Sequence, residues 1–307
     1  MSILVVGSVA LDSVKTPFGE TTESLGGSAV HFSAAASFFS KIRLVGVIGE
    51  DFPKEEIAFL EKRGVDFAGL KVEKGKTFRW KGEYGFDLNV AKTLETHLNV
   101  FSQFSPVIPE EFRKSDVLFL GNIHPALQMK VLEQVERPKL VALDTMNFWI
   151  EGETEALKKV ISKVDLLVIN EGEARELTKI GSLVAAARTI QSWGVKIVVI
   201  KRGEYGALLF HPEGIFSAPG LPLETVKDPT GAGDSFAGGM IGYLESHPSA
   251  DGFKMETFKQ AVIVGSAMAS FNVEDFSCRR LKSLTPKEIG QRIALFKKLS
   301  HFEDVSI

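Results

Sequence analysis

A chain of 307 residues that is 44% hydrophobic and 24% charged can bury one large α/β core or two small ones. Its formal net charge of −3, with no run of basic residues interleaved with aromatics, gives no electrostatic reason to expect nucleic acid as a partner. The single cysteine, Cys278, excludes an internal disulfide or a thiolate metal cage, and no segment approaches the ~20 apolar residues of a membrane span, so a cytoplasmic setting is expected.

The first residues, Met1-Ser2-Ile3-Leu4-Val5-Val6-Gly7, enter a strand-like run without a basic leader, so no signal peptide is expected. Short apolar runs at 3–6, 44–48, 117–120, 140–143, 166–169 and 197–200 alternate with helical patterns such as 29–39, 54–63, 173–179 and 183–193. Continuous apolar strands separated by helices indicate a parallel sheet covered on both faces, a doubly wound, mostly parallel α/β sandwich. Two stretches, 12–24 and 71–104, turn polar with strand-like alternation, as in Phe78-Arg79-Trp80-Lys81-Gly82-Glu83-Tyr84. They read as half-buried antiparallel strands outside the main sheet, with a plain surface hairpin as the alternative. No repeat, low-complexity tract or Pro/Ser-rich linker divides the chain, so one domain over 1–307 is expected. The 23 phenylalanines are scattered at core-like spacing and read as packing.

The most informative stretch is Asp228-Pro229-Thr230-Gly231-Ala232-Gly233-Asp234-Ser235-Phe236, running into Ala237-Gly238-Gly239-Met240-Ile241-Gly242. It reads as a glycine-rich turn opening a helix, which aims free backbone N–H groups and the positive end of the helix dipole at one spot. A carboxylate there, Asp234, would only repel a bound phosphate unless its chemistry were wanted, so a base beside an anion hole suggests phosphoryl transfer. Three glycines inside the helix, each worth roughly 1 kcal/mol less than alanine, imply that something packs closely against it. Earlier, Leu25-Gly26-Gly27-Ser28-Ala29-Val30-His31 would let a backbone approach a ligand, with exposed helical amides to hold hydroxyl oxygens. Asp12, after the first strand, could accept from vicinal hydroxyls or simply cap a turn. Asn170-Glu171-Gly172-Glu173 could serve Mg²⁺ or form a capping box. Lys201 could neutralise phosphate or be solvated, and Phe148 and Trp149 could face a ligand or pack the core.

DPTGAGDSFAGG resembles the C-terminal signature of the ribokinase-like, or PfkB, carbohydrate kinases, and weaker motifs follow that family's order along nearly the whole chain. The resemblance implies a ribokinase-like fold with the polar segments 12–24 and 71–104 forming a small β lid, which also serves as a homodimer surface. It implies Asp234 as catalytic base and Gly231, Ala232 and Gly233 as the anion hole. Asp12, Gly26, Gly27, His31 and Asn147 would hold the acceptor. His31 stands where the family often has asparagine, and it either donates to a hydroxyl or is a satisfied buried histidine. Asn170, Lys201, Gly203 and Thr230 would serve ATP, with Glu173 placing Mg²⁺ through water, 262–276 flanking adenine, and a monovalent cation as an additional candidate. The expected activity is ATP-dependent transfer of the γ-phosphoryl group to a hydroxyl of a sugar or polyol, with a nucleoside as the alternative acceptor. A non-catalytic sugar-binding sensor is the competing class, disfavoured by Asp234 and the intact Gly-Ala-Gly. A dinucleotide-dependent oxidoreductase would need Gly-X-Gly-X-X-Gly after the first strand, and the segment after Val6 lacks it.

Overall fold

The computed structural model describes residues 2–248, 254–301 and 303. In chain order the first half contains β1 (Ile3–Val6), β2 (Ala10–Thr16), β3 (Gly19–Gly26), α1 (Ser28–Ala36), β4 (Ile42–Gly49), α2 (Ala58–Lys62), β5 (Asp66–Glu73), β6 (Phe78–Tyr84), β7 (Ala91–His97), β8 (Val117–Leu120), α3 (Pro125–Leu132) and β9 (Leu140–Leu143). The second half contains α4 (Asn147–Gly152), α5 (Thr154–Ile161), β10 (Leu166–Asn170), α6 (Glu171–Thr178), α7 (Leu183–Ser192), β11 (Ile197–Lys201), β12 (Ala207–His211), β13 (Gly214–Ala218), α8 (Ala232–Ser246), α9 (Met255–Asn272), α10 (Arg279–Ser283) and α11 (Pro286–Ser300).

Every apolar run read from the sequence becomes a strand of one nine-stranded sheet, ordered β13-β12-β11-β10-β9-β8-β1-β4-β5. All pairings from β5 to β11 are parallel, and β12 and β13 close one edge antiparallel. Alternate residues of a strand face opposite sides, so a strand apolar at every position needs two cores. Two clusters supply them: Ile3, Val5, Phe119 and Val168 pack with Phe32 of α1 and Met240 of α8, while Leu4, Val6, Leu118 and Ile169 pack with Leu157 of α5 and Ile190 of α7. The order reverses around β1, which sits between β4 and β8. In such sheets the crevice at the carboxyl ends of the strands beside the reversal is the natural ligand site.

The polar segments form a separate four-stranded sheet, β3-β2-β6-β7. Its two antiparallel hairpins, β2–β3 and β6–β7, are joined by a parallel β2–β6 pairing. Two expectations need correction. Residues 71–73 belong to β5, which pairs with β4 in the large sheet rather than with the small one. Residues 99–103 form a 3₁₀ turn, whose Phe101 stacks between Phe78 and Phe104 at 5.2 and 5.5 Å. Apolar residues at 98, 100, 101 and 104 no longer alternate, which ends the strand at His97. Among the described residues, no helix is long and apolar enough to cross a membrane.

Candidate active site

The strand ends beside the topological reversal carry polar residues onto one edge: Ser8 after β1, Asp144 after β9, Asn170 closing β10 and Lys201 closing β11. Opposite them lies the first turn of α8. Gly231 is its N-cap with φ of 74°, a left-handed conformation that favours glycine, and a Cβ there would also overlap the imidazole of His31. The three helical glycines have the packing partners their presence implied. A Cβ at Gly238 would strike the Phe32 carbonyl in α1, one at Gly242 would lie 3.2 Å from Ala36 Cα, and one at Gly239 would press on Met268 of α9 at 2.6 Å.

Within the turn, the Ala232 amide donates to the Pro229 carbonyl at 3.1 Å and the Ser235 amide to the Gly231 carbonyl at 2.8 Å. Ala232 is therefore engaged by the turn itself and is corrected as an anion-hole donor. The amides of Gly231, Gly233 and Asp234 make no hydrogen bond among the described residues, and they sit at the positive end of a 15-residue helix. The Lys201 ammonium reaches the same spot, since a Cβ at Gly233 would lie only 2.8 Å from its Nζ.

Asp234 is half-buried beside this turn. Burial, with the Asp144 charge adding to it and Lys201 opposing, pushes its carboxyl up to about 7. Lys201 lies 3.7 Å from Asp144 Oδ1. Burial alone would depress the Lys201 ammonium, but Asp144, Glu173 and Asp234 outweigh it and hold its pKa above the usual lysine value. Asp144 itself is raised by burial against the pull of Lys201. Its carboxylate was not singled out in the sequence, although its place at a parallel strand's carboxyl end is the signal that would have found it.

Asn170 and Glu173 form a complete capping box on α6: Glu173 N donates to Asn170 Oδ1 and Asn170 N to Glu173 Oε2, both at 2.8 Å. The structural alternative is thus realised, and it leaves Glu173 Oε1 oriented by the cap. Burial, opposed first by Lys201, pushes Glu173 up to about 7. Three carboxyls, Asp144, Glu173 and Asp234, face one ammonium, an oxygen-rich set that fits a divalent cation beside bound phosphate. Among the described residues no group of three or more His, Cys, Asp or Glu side chains could hold a metal directly, so that fit is one made through water and phosphate oxygens.

On the acceptor side, Asp12 lies within β2 rather than after β1, and it is 7% exposed. A Cβ at Gly26 would overlap its carboxylate, so the Gly-Gly pair makes room for Asp12. Burial and the Asp228 charge push Asp12 up to about 7, while a hydrogen bond from the Gly27 amide pulls the other way. The expectation of free amides at the start of α1 is corrected: Ser28 N donates to Ser8 Oγ at 2.9 Å and Ala29 N to the Ser8 carbonyl at 3.1 Å. Ser8 satisfies them because β1 ends directly against the helix N-terminus. His31 is 2% exposed, and burial lowers its pKa to about 4, so it is neutral. Its Nδ1 meets Asn272 Oδ1 at 3.2 Å, while its Nε2 is buried with no hydrogen-bond partner among the described residues.

The small sheet reaches both halves of this site. Tyr84 Oη accepts from Thr230 Oγ1 at 3.3 Å, and Asn89, between β6 and β7, lies so close over Gly203 that a Cβ there would overlap it. Trp80 pairs in register with Asp12, and its indole lies over Gly82, where any larger residue would collide with the ring. Asn147 is exposed at the start of α4 with no acceptor-side partner in view, and Phe148 beside it is 65% exposed rather than packed in the core. Trp149 instead donates to Asn122 Oδ1 at 2.9 Å. Within 262–276, Val262, Ala267, Met268 and Phe271 are spent on the core.

A glycine-capped helix start carrying a carboxylate, facing a lysine at a strand end, suits phosphoryl transfer. The family model for pfkB family carbohydrate kinases matches residues 2–284. The chain belongs to the pfkB family of carbohydrate kinases. A cytidine kinase from Thermococcus kodakarensis is 34% identical over 257 residues, covering 81% of this chain and 90% of that protein. An inositol 3-kinase from Arabidopsis thaliana is 24% identical over 96% of this chain and 80% of that protein. In fold, this pfkB kinase resembles the Burkholderia thailandensis nucleoside kinase solved with inosine, with a TM-score of 0.73 at 20% identity over 95% of this chain and 98% of that one. The pfkB kinase is accordingly a phosphotransferase with an alcohol acceptor, moving phosphate from ATP to a hydroxyl of a sugar or nucleoside.

Proposed function

We propose that the acceptor is a nucleoside, with the ribose diol held by Asp12 and the base covered by Trp80. The observation that carries this reading is the parallel register pairing Asp12 with Trp80, because side chains directly opposite on neighbouring strands share one face. A carboxylate and an indole on the same face suit a polar sugar joined to a flat ring. The 34% identity to a cytidine kinase supports the same choice.

ATP with Mg²⁺ supplies the phosphoryl group and the countercharge when bound. Asp234 accepts the proton of the attacking hydroxyl, which needs its carboxylate form. The Gly231 and Gly233 amides, joined by that of Asp234, donate to the transferring group, and Lys201 adds a fixed positive charge there. Gly203 and Thr230 would line the nucleotide side, and Glu173, oriented by its capping box with Asn170, would hold Mg²⁺ through water. The four-stranded sheet acts as a lid, with Tyr84 and Asn89 meeting Thr230 and Gly203 when it covers the site and keeps water from ATP. The wholly exposed β7 offers the surface for a homodimer, and the lone buried Cys278 suits a cytoplasmic protein.

The test is an ADP-release screen over nucleosides, free sugars and inositols. Turnover with nucleosides at tenfold or better kcat/KM over any sugar or inositol is the expected result. Preference for a free sugar or inositol would remove the nucleoside reading, and no turnover with any acceptor would favour a sensor.

A further inference from the structure

The anion-hole turn is held from outside by a side chain that no motif marks. Asn272, the last residue of α9, is 0% exposed. Its Nδ2 donates to the Thr230 carbonyl at 2.7 Å, and its Oδ1 accepts from Ser235 Oγ at 3.0 Å and meets His31 Nδ1 at 3.2 Å. A carbonyl oxygen can only accept, so the amide orientation is determined: Nδ2 faces Thr230, Oδ1 faces the other two, and His31 carries its proton on Nδ1. Thr230 and Ser235 bracket the Gly231–Asp234 turn, and the His31 ring packs against Gly231 at its start.

The consequence lies in the helix's own bonding pattern. Asp234 is the third residue of α8, so its amide is one of those that a helix start leaves without an intrahelical acceptor. The Asp234 amide accordingly makes no hydrogen bond among the described residues, and where it points depends on the turn before it, whose Thr230 carbonyl is held by Asn272. The chain after Asn272 adds further ties, since Lys227 N donates to the Val273 carbonyl at 2.8 Å and Ser277 N to Asp228 Oδ2 at 3.2 Å. Those ties hold the approach to the turn, whereas Asn272 alone grips both sides of it.

We propose that Asn272 is a positioning residue of the anion hole, keeping the Gly233 and Asp234 amides aimed at the transferring phosphoryl group by holding Thr230 and Ser235. The inference rests on the kinase reading of this site. It does not depend on which acceptor is used.

Two variants test it. Asn272→Ala removes all three bonds, and Asn272→Asp keeps the size and the acceptor but sets an oxygen against the Thr230 carbonyl. For each, kcat per folded molecule should fall roughly 10- to 100-fold, as expected when transition-state donors are misaligned, with KM for ATP and acceptor within about threefold of wild type. Calorimetry with the non-hydrolysable imido analogue of ATP and with ADP supplies a readout free of turnover. The preference for the analogue over ADP should shrink about tenfold in both variants. Thermal unfolding reports the folded fraction, and a residue that only stabilises the fold would lower the midpoint while leaving kcat per folded molecule and the analogue-to-ADP ratio unchanged. That result overturns the proposal. If wild type turns over no acceptor yet binds the analogue, the acceptor reading fails alone and the binding ratio still decides the role of Asn272. If wild type binds neither nucleotide, both readings fall.

Discussion

Strands β8 and β7 carry the contrast between the two sheets: Val117–Leu120 is buried at all four residues, and Ala91–His97 is exposed at all seven. β8 has apolar neighbours on both faces and a parallel strand on each side, so it can shift only if two cores repack. β7 is an edge strand held by one partner and by pairs such as Lys81 Nζ to Glu95 Oε1 at 3.0 Å, between residues roughly half exposed. Such pairs are worth little and are screened by salt. The large sheet therefore sets the positions of Asp144, Lys201 and the α8 turn, while the outer edge of the small sheet is held by weaker ties. Its base is the firm part: Arg79 bonds Asp51 at 2.8 Å and Glu23 at 2.6 Å, and Thr77 Oγ1 bonds Asp51 at 2.8 Å.

The sharpest way to break this comparison is at Asp234, on the rigid side. Asp234→Asn should lower kcat by about 10²–10⁴ with KM nearly unchanged, measured by ADP release. The pH dependence gives a second handle, because the folded carboxyl titrates at about 7 against 3.8 for an ordinary aspartate. Only the ionised form accepts a proton, so kcat/KM should rise with pH through about 7 and then level. A carboxyl raised on folding favours the native state while protonated, and that contribution is lost as pH climbs through 7. Asp234→Asn should thus stabilise the protein at pH 8 by roughly 1–3 kcal/mol and by about a third as much at pH 5, read by urea unfolding.

Next in size is the core of the large sheet. Phe119 is fully buried and stacks on Phe32 at 4.2 Å, so Phe119→Ala should cost about 3–5 kcal/mol of unfolding free energy. A loss below 1 kcal/mol would mean that the large sheet is not the rigid partner. Trp80→Ala on the small sheet should do the reverse, raising the nucleoside KM roughly tenfold, with the ATP KM and the unfolding midpoint nearly constant. An equal rise in both KM values would take Trp80 away from the acceptor. At the bottom of the scale, Lys81→Ala should change stability by no more than about 0.5 kcal/mol, and that change should vanish in 0.5 M salt.

Much of the frame was legible because it depends on local rules. Runs such as Leu166-Leu167-Val168-Ile169 are apolar at both strand faces, a pattern that only a doubly covered parallel sheet accommodates, and the structure adds one residue, Asn170, to that strand. The three glycines of α8 foretold close helix packing because a missing Cβ has few other uses inside a helix. The small sheet was visible as polar alternation, but its boundary at 71–73 was not, because Lys71-Val72-Glu73 alternates like a lid strand while pairing with β4. Asn272 was illegible for a different reason. It sits among apolar residues of a buried helix, and nothing local separates a hydrogen-bonding hub from any other polar residue there.

By itself, then, the sequence determined the layered α/β architecture, the turn at Gly231 and the carboxylate that follows it, since all three rest on periodicity and on backbone conformations that neighbouring residues dictate. Tertiary structure alone decided that the α1 amides are closed by Ser8, that Asp144 joins Lys201, and that Asn272 ties Thr230 to Ser235 from 37 residues beyond Ser235. These depend on which elements meet in space, and a hydrogen bond made across such a chain separation leaves no periodic trace in the sequence that forms it.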